Sequence, residues 1–283
     1  MANTATAAAP EKAGIQDTYT IVRGEEREMR SSFGYHLHPD IQVPRSGLRV
    51  ADVGTGTAIF LRELAAHNIP TAEFHGFDIS PSQFPPAPTL PTNVQLHVGN
   101  VMEGFPSEFH GSFDVVTVRL LVASLNGDDW RHATTNLIKL LKPGGSLQWQ
   151  ESDGLQGMTI LRDEVGARKR NLQASLSQIF SDKAVREKFE YPSRNLERVF
   201  REAGLEEVDR DVVSTDRQPH MRSFTLRISI EGLISGLKGG MNGKKYSQKE
   251  IDSQVKGWLE DLESGAYHRY NLHCFLGRKP LMG

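Results

Sequence analysis

The sequence predicts an α/β fold, an open and mainly parallel sheet with helices laid against it. Three observations predict it. Leu48 to Val53 is a short apolar run with β-branched residues; Gly54 and Gly56 break it, and apolar residues then recur at helical spacing from Ile59 to Ala66. Strand, glycine turn and helix make the first half of a βαβ unit. A second apolar run, Ala72 to Phe77, ends on an acid, Asp78. Lys142-Pro143-Gly144-Gly145 then stops a helix and leads into a further strand, Ser146 to Gln150.

The glycine turn organises the rest. Glycine has no Cβ, so a ligand can lie against the backbone, and the following helix offers unpaired N–H groups. Asp52 sits at the carboxyl end of the strand, where open α/β sheets bind ligands. Two cofactor classes use such a turn. The dinucleotide fingerprint wants glycine or alanine where Ile59 stands. The other pattern is an acid followed by three alternate glycines; Asp52, Gly54 and Gly56 match it, and Ala58 replaces the last glycine.

Composition narrows the class. The 283 residues are 38% hydrophobic and 24% charged, ordinary globular material sufficient for one large domain with a cap. A net charge of −2 gives no nucleic-acid footprint. The only cysteine, Cys274, excludes an internal disulfide and a Cys-rich zinc site. No run of about 18 apolar residues suggests a membrane span, and residues 1–14 are Ala/Thr-rich without a signal pattern, so a disordered tail and a cytoplasmic setting are expected.

Residues 15–47 read as lid helices. Tyr19, Val22, Arg23, Glu26 and Met29 recur at three- and four-residue spacing, ahead of Gly34-Tyr35-His36-Leu37-His38-Pro39. Either they cover the crevice with Tyr19, Arg23 and His38 facing inward, or they form a solvated packing helix. His36 and His38 lack a third ligand nearby, so no metal is expected.

Asp78 lies about 20 residues past the turn, where an acid accepts both hydroxyls of an adenosine ribose. Ser80 is placed to cap a short helix, and Phe84 to Pro91, with four prolines, is loop. Asn93 to Val98 forms a third strand and Ser112 to Arg119 a fourth, buried by its valines. Arg119 closes that strand. A buried charge needs a partner, and the methionine carboxylate of a cofactor, Asp52 or the substrate would serve. Asp128-Asp129-Trp130 starts a helix that runs to Leu141.

Asp52-Val53-Gly54-Thr55-Gly56, Phe77-Asp78-Ile79-Ser80, Gly99-Asn100-Val101, Phe113-Asp114-Val115-Val116 and Leu140 to Gly145 occur in an order and spacing that resembles the class I S-adenosylmethionine (SAM) methyltransferases. The likeness covers residues 48–152. Arg119-Leu120-Leu121, Asp129-Trp130 and the Gly34 to Pro39 segment look like the small-molecule methyltransferases of fungal natural-product clusters. The resemblance implies a Rossmann-like seven-stranded sheet with a reversed last strand. It implies SAM as cofactor, with Asp52, Gly54, Asp78 and the Asn100-Val101 loop against it. Asn100 then either holds the adenine amine or only shapes a turn, and Val101 or Met102 packs on the ring. The candidate cofactor-binding set is Tyr19, Arg23, Asp52, Gly54, Thr55, Gly56, Asp78, Ile79, Asn100, Val101, Arg119 and Leu120.

The second half reads as cap and core in alternation. Residues 158–190 are expected to be polar cap helices without a strong core stripe, 191–218 core with a crossover helix from Leu196 and a strand from Leu205 to Ser214, 219–263 a helical insertion, and 264–283 the last strand. Both cap pieces either shape a substrate pocket or form an oligomer interface. The implied reaction is methyl transfer to O, N or S of a small molecule in secondary metabolism. Candidate bases are His38, His220, His268, Glu151 and Asp153, with His38 and Glu151 favoured because they flank the crevice. The rivals are a SAM-binding protein that does not methylate, such as a cyclase-like catalyst or a regulatory binder, an NAD-dependent oxidoreductase, and a protein or RNA methyltransferase. Ile59 argues against the oxidoreductase, and the near-neutral charge against an RNA substrate.

Overall fold

The computed structural model describes residues 29–281 apart from 31, 68, 70, 154–157, 161–170 and 241–242. The expected tail and residues 15–28 and 31 of the lid segment, Tyr19 and Arg23 among them, lie outside the described residues.

β1 (Arg49–Val53), α1 (Ile59–Ala65), β2 (Glu73–Asp78), β3 (Val94–Val98), β4 (Phe113–Arg119), α2 (Asp129–Leu140) and β5 (Leu141–Ser152) follow in order. Then come β6 (Met158–Ile160), α3 (Asn171–Ile179), α4 (Lys183–Glu202), β7 (Glu206–Ser214), α5 (Arg222–Gly239), α6 (Gln248–Glu263), β8 (Tyr267–Arg269) and β9 (Asn271–Arg278). Seven strands make one sheet in the order β3-β2-β1-β4-β5-β9-β7. The five on the β3 side are parallel. β9 is antiparallel to both its neighbours and is the expected reversed strand; it lies inside the sheet, between β5 and β7. The fold is thus the Rossmann-like one the sequence predicts.

Alternation along the strands builds two cores. Val50, Phe74, Val94, Val115 and Leu276 face α1 with Phe60, Leu61 and Leu64. Ala51, Val53, Phe77, Val116, Val118, Leu147, Trp149 and Phe275 face α2 and α4, where Trp130, Leu137, Leu196 and Phe200 pack. Both faces are covered, which is why the strands read as nearly continuous apolar runs.

Lys142 to Gly145 follow α2 as a stop signal should, but they already belong to β5, across a register shift between Phe113 and Val115. A Cβ on Gly145 would stand 3.0 Å from three carbonyl oxygens, so only glycine fits.

The second half of the chain departs from the sequence reading at four points. Met158–Ile160 is a strand rather than helix, because it pairs with β8 more than a hundred residues later. The segment from Ala266 to Leu276 is broken at Tyr270 into β8 and β9. A core stripe does exist: Leu172, Leu176, Ile179 and Val185 are buried against Leu226, Ile230, Leu233, Ile251 and Trp258 of α5 and α6. α4 also runs unbroken through residue 190. Asp261 of α6 ties the cap further by accepting from Leu172 N–H at 2.8 Å and from Asn171 Nδ2 at 3.0 Å. Among the described residues no helix is long and apolar enough to cross a membrane.

Beneath the sheet, His75 of β2 and His97 of β3 stack at 5.3 Å with Nδ1 and Nε2 3.1 Å apart, walled by Phe77, Phe109 and Phe113. Burial, with His97 beside it, lowers the His75 pKa to about 4, and burial lowers that of His97 too. The folded state therefore holds His75 neutral while the unfolded chain protonates it from about pH 6.5 downward. Stability that is fully present above pH 6.5 erodes toward pH 4, by about 3 kcal/mol for this group. We expect wild type to lose stability relative to His75→Phe, from urea midpoints, as pH falls over that interval. Glu151, whose shift is upward, acts in the opposite sense in both proteins and cancels in the difference. A pH-independent difference refutes the neutral pair.

Candidate active site

The glycine turn is held by the end of β2. Gly54 and Thr55 both donate backbone N–H to Phe77 O, at 2.8 and 3.0 Å. Gly54 (φ 72°), Gly56 (φ 52°) and Ala58 (φ 55°) are all left-handed. Ala58 keeps the conformation of the glycine it replaces, at a cost of about 1 kcal/mol. A Cβ on Gly54 would come 3.1 Å from Leu121 Cδ2, the side chain that faces the turn from the end of β4.

Asp78 joins two loops. Its Oδ2 accepts from Gly56 N–H at 2.8 Å and its Oδ1 from Ser80 N–H at 2.9 Å. Each oxygen keeps a further lone pair. Ser80 was expected to cap the short helix with its side chain; it makes no such bond, and its backbone serves Asp78 instead. Gly76 went unnoticed in the sequence. A Cβ there would collide with Thr55 and Leu96 side chains at 2.6–2.7 Å, so β2 is bare where the turn crosses it. A lone glycine inside a strand was the available signal.

Asp52 is fully buried. Arg119 reaches both its oxygens, Nη1 to Oδ1 at 2.8 Å and Nη2 to Oδ2 at 3.1 Å, and Thr117 Oγ1 donates to Oδ1 at 2.9 Å. The guanidinium also lies 4.0 Å over the Phe60 ring. Of the three partners open to Arg119, the structure shows Asp52. Leu120 then adopts φ 54°, a strained conformation for a branched residue, and donates to Gln150 O at 3.0 Å.

The loop after β3 is held by contacts of its own. Asn100 folds onto its own turn, accepting from Met102 N–H at 3.0 Å and donating to Glu103 at 2.9 Å. Val101 and Met102 are partly buried and lean on the core beside α2, where Asn136 Nδ2 holds Val101 O at 2.9 Å. The exposed apolar side chains here are Ile79 (67%) and Val98 (63%), on either side of Asp78; Val98 was not anticipated.

His38 is not free to act as a base. Its Nδ1 accepts from Asp40 N–H at 3.2 Å and its Nε2 lies 3.1 Å from Asp211 Oδ2, to which Tyr35 also donates at 2.8 Å. Gln148, missed in the sequence, grips the same segment: Oε1 accepts from His38 N–H at 2.7 Å and Nε2 donates to His36 O at 2.9 Å. These bonds make His38 a clamp for the chain before β1. Glu151 is different. Its Oε1 accepts from Leu121 N–H and the Trp149 indole, both at 2.8 Å, and burial pushes its pKa up to about 7. Asp153 follows Glu151 at the end of β5, and His220 lies on the short turn before α5. Among the described residues no group of three acids, histidines or cysteines is arranged to hold a metal ion.

A family model described as a methyltransferase domain matches residues 26–209, over half of the chain. The chain belongs to that methyltransferase family. Methyltransferase grgD of a Penicillium species is 44% identical over 125 residues, spanning 42% of this chain and 43% of that protein. N-methyltransferase tcpN of Claviceps purpurea (strain 20.1) is 36% identical over 123 residues, 43% of this chain and 44% of that protein. The chain thus matches under half the length of these relatives. Phosphoethanolamine N-methyltransferase 2 of Haemonchus contortus, solved with S-adenosyl-L-methionine, superposes with a TM-score of 0.53 at 18% identity, over 94% of this chain and 57% of that one. At that identity the likeness speaks for the fold alone.

In this methyltransferase the Asp52–Arg119 pair should behave as a structural unit. Arg119→Met leaves a buried carboxylate without its cation and is expected to cost about 3–5 kcal/mol. Arg119→Met with Asp52→Leu should recover much of that loss in urea unfolding. Additive losses would show that the two side chains act separately.

Proposed function

We propose that this protein transfers the methyl group of SAM to a nitrogen, oxygen or sulfur of a small-molecule natural product in secondary metabolism. One observation carries the reading. Asp78, held by amides from two loops, presents a carboxylate at the carboxyl end of β2 with lone pairs left for two hydroxyls. The residues present suit the cofactor. The turn is bare of Cβ atoms at Gly54, Gly56 and Gly76. The hydroxyls of Thr55 and Thr57 are buried with no partner among the described residues. The name of the Claviceps relative, an N-methyltransferase, supports a nitrogen among these acceptors.

In this reading Asp78 would hold the ribose, and the backbone of Gly54, Thr55 and Gly56 would hold the methionine moiety. Ile79 and Val98 would hold the adenine, and Asn100 Oδ1 keeps a lone pair that its amine could use. Arg119 acts by holding Asp52 rather than by touching the ligand, and Leu120 lines the turn beside it. Tyr19 and Arg23 belong to the proposed set on their sequence pattern alone. When bound, SAM supplies a methyl already activated on a sulfonium, so the chain's part is alignment, exclusion of water and removal of a proton where the acceptor carries one. Glu151, buried at the end of β5, is the base-type group of the expected pair that retains an open oxygen; His38 has none. α3, α5, α6 and the β6–β8 ribbon form the cap over the acceptor side. A cytoplasmic setting is proposed with this, on the single buried thiol, Cys274.

Asp78→Ala removes a charge-assisted bond to the ribose, typically about 1.5–3 kcal/mol. We expect calorimetry to show S-adenosylhomocysteine binding weakened about ten-fold to more than a hundred-fold. Thermal unfolding separates this from loop loosening, since Gly56 and Ser80 also lose an acceptor. Unchanged affinity in the folded variant refutes the ribose assignment.

A further inference from the structure

The sheet face opposite the Asp52–Arg119 pair carries a second set of buried polar groups at the end of β5. Glu151 and His273 are register partners across β5 and β9. Their Cβ atoms therefore lie about 5 Å apart on one face. Both side chains are buried, Glu151 to 1% and His273 to 6% exposure.

Asp153 Oδ2 lies 3.4 Å from His273 Nε2. Asp153 is itself fixed by Asn271, whose backbone N–H donates at 2.6 Å and whose side-chain amide donates at 3.1 Å. A carboxylate only accepts, so the Asp153 side draws the ring proton to Nε2, and the neutral ring presents Nδ1 as a bare lone pair. Phe275 stacks on the imidazole at 6.0 Å and fixes its plane. Nδ1 has no hydrogen-bond partner among the described residues, and neither has Glu151 Oε2. Two buried atoms left unsatisfied cost about 1–3 kcal/mol each, and such groups in a folded protein call for an explanation. They lie at the carboxyl end of β5, beside the strained turn at Leu120 and Leu121, on the rim where sheets of this kind hold their ligands.

We propose that His273 is the proton acceptor for the substrate nucleophile, with Asp153 as its positioning residue and Glu151 as the carboxyl group that takes the proton onward. The inference rests on the methyl-transfer reading above. The acceptor's lone pair bonds to the methyl carbon as the carbon–sulfur bond breaks, its electrons staying on sulfur. The acceptor's proton passes to His273 Nδ1. The imidazolium is stabilised by Asp153, and the proton leaves through Glu151 Oε2. With a pKa near 7, Glu151 exchanges that proton with little bias either way. General-base assistance of this kind is worth on the order of a hundred- to ten-thousand-fold.

Two measurements test the assignment without a known acceptor. The imidazole 15N shifts of the neutral wild-type protein should show His273 with the proton on Nε2; a proton on Nδ1 overturns the proposal. The second probe is the amine analogue of SAM, which carries an ammonium where the sulfonium methyl stands, compared with S-adenosylhomocysteine by calorimetry. A base at the reacting centre should make wild type prefer the amine. Glu151→Gln and His273→Asn should each cut that preference by about ten-fold or more while S-adenosylhomocysteine affinity holds. An unchanged preference in both variants overturns the role of the array alone. Failure of wild type to bind S-adenosylhomocysteine removes the methyl-transfer reading itself, and this proposal with it.

Discussion

The bidentate contact between Arg119 and Asp52 is the constraint on which the rest of the site depends. Two charges are taken out of water in the middle of a parallel sheet, and burial on that scale is tolerable only when geometry is close to ideal. Here it is: two hydrogen bonds, a third from Thr117, and an aromatic ring under the guanidinium. The pair joins β1 to β4 and both to α1. It thereby sets where the glycine turn begins and where the chain leaves β4. The strained Leu120 follows directly, and its neighbour Leu121 fills the space against Gly54.

From that pair a polar layer extends across the same face. Asp52, Thr117 and Gln148 are in register, and one step on so are Arg119, Gln150, Cys274 and Asp211. The segment before β1 is bound to this layer through Gln148 and Asp211. Burial raises the Tyr35 hydroxyl far above its ordinary range and the Cys274 thiol to about 12, so both stay protonated and act as donors rather than charges. The layer fastens the segment around His36 and His38 ahead of β1, and it engages both nitrogens of His38.

The opposite face is built from aromatic rings. Tyr191 stacks on Trp130 at 5.8 Å, Trp130 meets Trp149 at 5.2 Å, and Trp149 donates to Glu151. α4 therefore supports the end of β5 through three rings. The family match ends at residue 209, just inside β7, so α5, α6 and the returning strands lie beyond it. Those elements carry a core of their own with α3, which gives the cap freedom to differ without disturbing the sheet.

The sequence alone determined the sheet's first five strands, the glycine turn, Asp78 and the class of fold. Each rests on short-range signals: an apolar run, a glycine that only a left-handed turn requires, an acid ending a strand. Membership of the family was legible for the same reason, since its motifs are local. Tertiary structure decided what depends on partners far along the chain. Arg119 had three candidate partners until β1 and β4 paired. His38 looked open until Asp211, 173 residues later, met it. Met158–Ile160 became a strand only because Tyr267–Arg269 lies beside it. His273 carried no signal at all in the sequence, because an imidazole in an alternating strand is ordinary until pairing sets it between Asp153 and Glu151. Local preference fixes what a segment is; pairing register and burial fix which side chains meet, and the chemistry follows from the meeting.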